Sequence, residues 1–310
     1  MKNILLIGGA GFLGINMAIS LVRGGLNVFL MDRKCQHLRS DQNLVGVSGF
    51  YDGDAANMEA ILTLVDSCEI ECVVNLASTL IPSSGLQDFS SEMTLCTLPA
   101  FRLIPVLAAR SVRYVFFSSG GAIYGRAGSE LMSEVDRCQP VNLYGYSKLI
   151  SEDYIGLCER SNSLEYLIIR PSNPYGRYQN PMRMQGFIAV AMHKLLKNQE
   201  IEIWGDGSVT RDYIFVNDMA DAFTSLLARN SWNGVFNIGS GIGYSLLEVL
   251  KVMENVTGKH ARIVHKASRS VDVNRIVLDV SKLKSEVDFQ PKSLVDGMKI
   301  YYEEIMNVVD

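Results

Sequence analysis

The chain has 310 residues, 48% of them hydrophobic, which is enough to bury one large core or two adjoining ones. Its formal net charge is −4, and acidic and basic residues are spread along the whole length. The lack of a basic block argues against a nucleic-acid partner, and the lack of a polybasic helix argues against binding at a membrane surface.

Short apolar runs alternate with segments of helical spacing in the first half of the chain. The run "NILLIGG" predicts a first strand, and "GFLGINMAISLVRGG" predicts a helix whose apolar face carries Phe12, Ile15, Ile19 and Val22. Further strands are predicted at "NVFLMD", "ECVVNLAS", "YVFFSS" and "EYLIIRP", with helices between them. Continuous apolar strands that alternate with helices are typical of a parallel sheet covered on both faces, so we expect an α/β fold.

The alternation loosens after about Pro171. Strands are predicted within "EIEIWGDGSVTRDYIFV" and at "FNIGS", and helices within "SLLEVLKVMENVTG" and "DGMKIYYEEIMNVV". No internal repeat, low-complexity tract or obvious linker separates the two halves. We therefore expect a second lobe joined directly to the first.

The cysteines and histidines predict neither a disulfide framework nor a metal site. The six cysteines form no Cys-x-x-Cys pair, and the four histidines are scattered without the spacing of metal ligands. No apolar stretch approaches the roughly 20 residues of a membrane span, and the apolar start runs directly into glycines, unlike a signal peptide. We expect a cytoplasmic protein with reduced thiols, no metal ion and no membrane.

A glycine-rich loop, Gly8, Gly11 and Gly14, follows the first strand and opens the first helix. Glycine there allows a tight turn and a close approach of the backbone to a pyrophosphate, whose charge faces the free N–H groups of the helix start. The second strand ends in Asp32, whose carboxylate can accept hydrogen bonds from both adenosine-ribose hydroxyls and would repel a 2′-phosphate. The pattern predicts an NAD site, although Arg33 could hold a 2′-phosphate and leaves NADP open. The alternative interpretation of the glycines is a turn that binds no ligand, and the alternative interpretation of Arg33 is a surface charge exposed to solvent.

The stretch "YGYSK" places a tyrosine and a lysine four residues apart. On a helix, Tyr144 and Lys148 share a face. An ammonium beside a phenol favours the phenolate, which can remove a proton from a sugar hydroxyl and return it. Without the glycine loop upstream, the better interpretation would be an amphipathic helix start with a surface tyrosine.

These motifs, together with "GDA", "SSGGAIYG", "RPSNPYG", "GDGSVTRDYIFVND" and "SRSVDV", resemble the extended short-chain dehydrogenases/reductases, and within them the nucleotide-sugar epimerases. The resemblance runs nearly end to end. It implies a Rossmann-type doubly wound parallel sheet over residues 1–172, with part of 209–237, and a smaller substrate-binding lobe over 173–310. It also implies a homodimer formed through the segments around Phe101–Arg110 and Ser147–Leu157.

The resemblance also assigns roles to single residues. Beside the glycines, Asp32 and Arg33, it implies NAD contacts from Phe12, Leu13, Asp54, Ala55, Leu76, Ala77, Ser78, Tyr144, Lys148 and Ser172. Tyr144 and Lys148 become the catalytic pair. It implies contacts with the nucleotide sugar from Asn173, Arg211, Arg269 and Asp272, and two arginines suit a diphosphate because the guanidinium binds phosphate oxygens in a bidentate manner.

One catalytic hydroxyl of the family is missing from this chain. The family's serine or threonine aligns with Gly120, so we expect Ser119, or less favourably Ser118, to supply the hydroxyl that binds the reacting sugar oxygen. A water is the remaining alternative. The glycine pair would allow a sharp backbone turn there, and a positive φ angle would make glycine obligatory. Other departures are Asn75, Leu80 and Cys96, where the family commonly has histidine, lysine and asparagine.

The same stretch separates reaction types. Family dehydratases carry an Asp-Glu pair where this chain has Gly121 and Ala122, so dehydration lacks its acid and base. We expect NAD-dependent epimerisation of a nucleotide-diphosphate sugar at C4 through a transient 4-keto intermediate, on a UDP-hexose or a UDP-N-acetylhexosamine. The alternatives are an NAD(P)H-dependent 4-keto-sugar reductase and a non-catalytic NAD-binding protein on the same scaffold.

Overall fold

The fold comes from a computed structural model that describes residues 1–126, 130–183, 185–229, 232–267 and 273–309. The strands are β1 Asn3–Ile7, β2 Asn27–Asp32, β3 Gly49–Asp52, β4 Cys72–Asn75, β5 Arg113–Phe117, β6 Tyr166–Pro171, β7 Asn173–Tyr175, β8 Glu200–Trp204, β9 Thr210–Phe215, β10 Gly234–Ile238, β11 Gly243–Ser245, β12 Arg262–Lys266 and β13 Arg275–Ile276. The helices are α1 Phe12–Arg23, α2 Met58–Ser67, α3 Leu86–Glu92, α4 Leu98–Ala109, α5 Gly120–Ile123, α6 Leu143–Asn162, α7 Phe187–Leu196, α8 Val216–Leu227, α9 Leu246–Thr257, α10 Ser281–Glu286 and α11 Leu294–Val309.

Seven strands form the main sheet in the order β10-β6-β5-β4-β1-β2-β3. The pairs β3–β2, β2–β1, β1–β4, β4–β5 and β5–β6 are parallel. The strand order reverses between β1 and β4, which is the switch point where doubly wound sheets bind ligands at the carboxyl ends of their strands. The Rossmann-type α/β architecture is therefore confirmed.

The chain divides into two compact units. The first unit comprises Met1–Ser119, Asn142–Arg170 and Ala220–Phe236, and the second comprises Gly120–Val141, Pro171–Met219 and Asn237–Asp310. The core of the first unit is formed by apolar side chains of the sheet and of the helices that cover it, among them Leu5, Val73, Ile104 and Ile155. The assignment of cofactor to residues 1–172 and of substrate to 173–310 remains a prediction.

The second unit has its own smaller sheets and core. Strand β9 pairs in parallel with β7 and β13 and antiparallel with β11, while β8 pairs in parallel with β12. Its core contains Ile188, Met192, Phe215, Leu250 and Met298, drawn from α7, β9, α9 and α11.

Two expectations about helices need correction. The buried residues of α1 include Ile15, Met17, Ala18 and Leu21, whereas Phe12, Ile19 and Val22 are only half-buried. The buried surface extends beyond the predicted stripe because α1 also meets α8, where Ser20 Oγ donates to Asp221 Oδ1 over 2.7 Å. The predicted helix is present, and the predicted stripe is only part of its buried surface.

The second correction concerns length. Helices α3 and α4 are joined by a π-helical turn over Met93–Thr97, giving a continuous helical run over Leu86–Ala109. Among the described residues, this 24-residue run is apolar and long enough to cross a membrane. The expectation that no stretch approaches that length was therefore wrong. A third of its most apolar window is buried, and core helices of soluble proteins have the same composition, so the run is weak evidence of a span.

Candidate active site in the first unit and candidate substrate residues in the second

The glycine loop is held close to neighbouring backbone. Gly8 has a φ of +81°, and a Cβ there would lie 3.0 Å from Ala77 N. A Cβ on Gly14 would lie 2.6 Å from Gly9 O and 2.7 Å from Gly8 O, so the helix packs directly on the loop. The loop has no room for side chains at these positions, and its backbone leads directly into the start of α1.

Asp32 is oriented by the loop. Its Oδ2 accepts a hydrogen bond from Ala10 N at 3.1 Å, and its Oδ1 accepts one from Arg33 N at 2.7 Å. The side chain of Arg33 is exposed. The carboxylate is thus fixed at the end of β2, with the loop on one side.

The other predicted cofactor contacts in the first unit lie near the ends of parallel strands. Phe12 and Leu13 begin α1, Asp54 and Ala55 follow β3, and Leu76, Ala77 and Ser78 follow β4. Phe12, Leu13, Ala55, Leu76 and Ala77 are half-buried, while Asp54 and Ser78 are exposed. Their backbone positions suit a ligand laid along the carboxyl edge of the sheet.

Ser118 and Ser119 follow β5 and are both buried. Ser118 N donates to Ile169 O at 2.7 Å, while Ser118 Oγ is buried and has no hydrogen-bond partner within the described chain. The backbone of Ser118 therefore continues the ladder between β5 and β6, while its hydroxyl is unpaired in the described chain. A buried, unpaired hydroxyl costs free energy unless a ligand or water binds it.

The predicted turn at Gly120 and Gly121 is a short helix, α5. Neither glycine has a positive φ angle. A Cβ on Gly121 would meet Asn173 Oδ1 at 3.5 Å, an ordinary contact. The alternative in which glycine is obligatory because of a positive φ is therefore wrong.

Helix α6 carries Tyr144 and Lys148 on one face. Asn142 Oδ1 caps its start by accepting from Gly145 N at 2.8 Å. Lys148 is 6% exposed, its Nζ donates to Phe117 O at 3.2 Å, and the same nitrogen lies 5.7 Å from the centroid of the Tyr144 ring. A half-buried phenol thus lies beside a buried ammonium.

An ion pair that the sequence interpretation missed fixes this helix to the sheet. Arg170 Nη2 lies 2.6 Å from Glu152 Oε2, its Nε is 3.1 Å from Glu152 Oε1, and both side chains are buried. The pair joins α6 to β6 one turn beyond Lys148. A buried pair of this kind is costly to break because either partner alone would be an uncompensated charge. No local pattern marks it, since the partners are 18 residues apart.

Asn173 and Arg211, which are predicted to contact the nucleotide sugar, lie in the second unit, and so does Ser172, which is predicted to contact the cofactor. Asn173 Nδ2 donates to Asp212 O at 2.8 Å, and Arg211 Nη1 donates to Thr210 O at 2.9 Å. Ser172 is buried, and its Oγ lacks a partner in the described parts of the chain. Arg269 and Asp272 lie outside the described residues.

Asp212, which the sequence interpretation did not single out, organises this region. Its carboxyl accepts hydrogen bonds from Ser240 N and Oγ, both at 2.8 Å, and from Gly241 N at 3.1 Å. Burial raises the pKa of Asp212, and these donors oppose that rise. The carboxyl therefore connects β9, which carries Arg211, to the loop after β10.

The first unit fits a dinucleotide cofactor on three observations. The glycine loop has no room for side chains and leads into the N-terminus of α1, Asp32 is fixed at the end of β2, and the Ser118 hydroxyl is buried without a partner in the described structure. These are the donors, acceptors and space that a pyrophosphate and a ribose require.

A family model described as the NAD-dependent epimerase/dehydratase family matches residues 4–239. A putative UDP-glucose 4-epimerase of Methanocaldococcus jannaschii is 30% identical over 304 residues, covering 96% of this chain and 98% of the relative. A dTDP-4-dehydro-6-deoxyglucose reductase of Escherichia coli is 25% identical, with 95% and 94% covered. The crystal structure of a UDP-glucose 4-epimerase of Thermotoga maritima with UDP-glucose superposes with a TM-score of 0.90 at 29% identity, and both chains are fully covered.

Proposed function

Since the chain belongs to the NAD-dependent epimerase/dehydratase family, we propose that it epimerises a nucleotide-diphosphate sugar at C4. The observation that carries the proposal is Lys148 beside Tyr144 on α6, in the unit that holds the glycine loop and Asp32. The substrate class is a UDP-hexose or UDP-N-acetylhexosamine, supported by the UDP-glucose epimerases among its relatives.

The glycine loop and Asp32 would hold the pyrophosphate and the adenosine ribose of the cofactor. NAD, when bound, supplies a hydride acceptor that later returns the same hydride. The Tyr144 phenolate takes the proton of the sugar 4-hydroxyl as C4 loses its hydride, which leaves a 4-keto sugar. After the 4-keto sugar has turned over in the pocket, Tyr144 would return the proton to the sugar oxygen as the opposite face of C4 is reduced, so that C4 is inverted with no net consumption of cofactor.

Lys148 favours the phenolate form of Tyr144 by its positive charge. Its position is fixed by the hydrogen bond to Phe117 O and by the Glu152–Arg170 pair further along α6. The proposed hydroxyl that binds the reacting sugar oxygen belongs to Ser119, and Ser118 is the second candidate. Asn173 and Arg211 are the proposed contacts of the nucleotide diphosphate in the second unit, and Arg269 and Asp272 extend that proposal beyond the described residues.

The second candidate function is reduction of a nucleotide 4-keto sugar. It is favoured by the 25% identity to the dTDP-4-dehydro-6-deoxyglucose reductase and by the exposed Arg33 beside Asp32. The two functions differ in what happens to the cofactor: an epimerase retains NAD through the cycle, whereas a reductase must exchange it. Purified protein that retains NAD favours epimerisation, and protein that binds NADPH reversibly with higher affinity favours reduction.

We also propose a homodimer in the cytoplasm. Leu98 on α4 and Leu157 on α6 are 44% and 51% exposed, and the packing of Phe101 against Tyr154 joins the two helices within the unit. A second copy covering these helices would bury that apolar surface. In this proposal the second copy would also cover exposed apolar side chains of the helical run over Leu86–Ala109. Sedimentation equilibrium at micromolar concentration tests the dimer, and a monomer would contradict it.

The function is tested by incubating the protein with UDP-, GDP-, CDP- and dTDP-sugars and identifying the products. We expect interconversion of a C4 epimer pair without added cofactor. Tyr144→Phe should lower kcat by about two to four powers of ten while NAD stays bound, because the proton acceptor is lost. Tyr146→Phe is the matched control, since Tyr146 is 50% exposed and two residues away. Equal activity of the two variants would remove Tyr144 from the mechanism.

A further inference from the structure

A small cavity in the first unit is bordered by a carboxyl group that the mechanism above does not use. Its volume, measured for the centre of a water molecule, is about 10 Å³, which is close to the space that one water needs. Glu92, Cys96, Thr97, Asn75 and Lys148 line it. Glu92 ends α3 and is 3% exposed, so a buried carboxyl and a buried ammonium border the same cavity.

Glu92 is the acceptor of three hydrogen bonds from the segment after β4. Ser78 Oγ donates to its Oε1 at 3.0 Å, and Thr79 N and Oγ1 donate to its Oε2 at 2.6 and 2.7 Å. Three donors on one carboxyl group match an ionised acceptor. Glu92 therefore fixes the segment that the family resemblance places along the cofactor.

Cys96 adds a fourth donor. Burial, and then the charge of Glu92 and a hydrogen bond to it, raise the pKa of Cys96 to about 12. The thiol is therefore neutral and donates its S–H to the carboxyl. The positive charge of Lys148 lowers the pKa of Cys96 and the negative charge of Asp54 raises it, both by less than burial does.

Neither buried charge has an ion-pair partner within 4 Å in the described parts of the chain. Lys148 has three N–H donors, and among the described residues its acceptor is Phe117 O. An ammonium or a carboxylate buried without a counter-charge is costly. Placed on one cavity the size of a single water, each supplies the charge that the other lacks.

We propose that Glu92 is a positioning residue that balances the charge of Lys148 across this cavity and thereby sets the ionisation of Tyr144. The inference rests on the proposed roles of Tyr144 and Lys148. Glu92 itself touches neither Tyr144 nor the sugar in this mechanism, and it acts through Lys148.

The charge balance fixes the direction of a pH effect. Removing the negative charge of Glu92 favours loss of a proton from both Tyr144 and Lys148, because each deprotonation makes the region less positive. The other groups at the cavity stay neutral, since burial raises the pKa of Tyr114 and of Cys96. The charge of Asp54 is unchanged. The profile of kcat against pH should therefore move to lower pH when the charge of Glu92 is removed.

The test compares Glu92→Gln with Asp88→Asn. Both change a carboxyl of α3 to an amide, but Asp88 is exposed and caps the helix by accepting from Gly85 N. Ultraviolet titration near 295 nm follows tyrosine ionisation, and the transition missing in Tyr144→Phe belongs to Tyr144. In Glu92→Gln we expect that transition about half a unit to one unit lower in pH, and the kcat–pH profile shifted by the same amount. In Glu92→Asp, which keeps the carboxylate, the Tyr144 transition and the kcat–pH profile should lie at the same pH as in the wild type.

The titration needs neither cofactor nor sugar, so it still decides the role of Glu92 if no nucleotide sugar is turned over. An unchanged transition, a move to higher pH, or an equal move in Asp88→Asn overturns the proposal. If Glu92→Gln does not fold, Cys96→Ala decides: it removes a donor from the carboxyl, strengthens its field and should move the Tyr144 transition to higher pH. No movement, or movement to lower pH, overturns the proposal there.

Discussion

Two glycine-rich segments, Gly8–Gly14 and Gly120–Gly121, look alike in the sequence but are constrained differently. In the first, Gly8 has a φ of +81° and a Cβ on Gly14 would lie 2.6 Å from backbone oxygen. In the second, both φ angles are negative or extended, and a Cβ on Gly121 would be in ordinary contact. The first segment needs glycine for its backbone. The second segment does not need glycine for its backbone angles.

Gly14→Ala should have the largest effect on cofactor binding. The added Cβ would meet the carbonyl oxygens of Gly8 and Gly9, so the loop or α1 must shift. Overpacking of this kind costs about 1–3 kcal/mol, and if the whole of that cost falls on the bound state it weakens the affinity for NAD by about five- to 160-fold. Calorimetric titration with NAD measures it. Gly85→Ala is the control, because nothing lies within 4 Å of a Cβ there. Unchanged affinity in Gly14→Ala would show that the loop has room.

Ser119→Ala should lower kcat by about ten- to a thousandfold, through loss of a hydrogen bond that strengthens as the alkoxide forms. Ser118→Ala should have the smaller effect if Ser119 is the catalytic hydroxyl. The unpaired Ser118 Oγ makes this comparison informative, because the structure gives that hydroxyl no structural partner in the described chain. Full activity in the double variant would show that a water or a substrate group takes the role.

Gly120→Ser should restore part of the activity lost in Ser119→Ala. It places a hydroxyl where the family has one, and the backbone at residue 120 has no positive φ that would strain a side chain. In the wild-type background the same change should alter kcat by less than about threefold. Steady-state kinetics of the two backgrounds measure it. A loss in both would mean that the segment tolerates no side chain.

Gly121→Ala should have the smallest effect. Its Cβ would be 3.5 Å from Asn173 Oδ1, and it lies within α5, where alanine replaces glycine with a gain of about 0.5–1 kcal/mol. We expect activity within about twofold of wild type and an apparent melting temperature raised by about 1–4 °C. Calorimetric melting measures it. A lower melting temperature would show that the fold requires glycine at residue 121.

The predicted parts of the fold are those with a local pattern. Apolar runs located β1, β2, β4, β5 and β6, because a strand buried on both faces must be apolar throughout. Strand β3, "GFYD", was not predicted, because it is short and carries only one buried residue. The buried face of α1 was predicted only in part, since burial there also depends on α8, about 200 residues later.

The sequence by itself determined the α/β class, the glycine loop before α1, and the pairing of Tyr144 with Lys148, because strand period and helix spacing are local properties. Only the tertiary structure decided that Glu92 borders the cavity of Lys148, that Glu152 pairs with Arg170, and that Asp212 collects the donors of Ser240 and Gly241. Each depends on groups brought together by the packing of separate elements. A buried charge is stable only where such partners converge, and no spacing within one segment records that convergence.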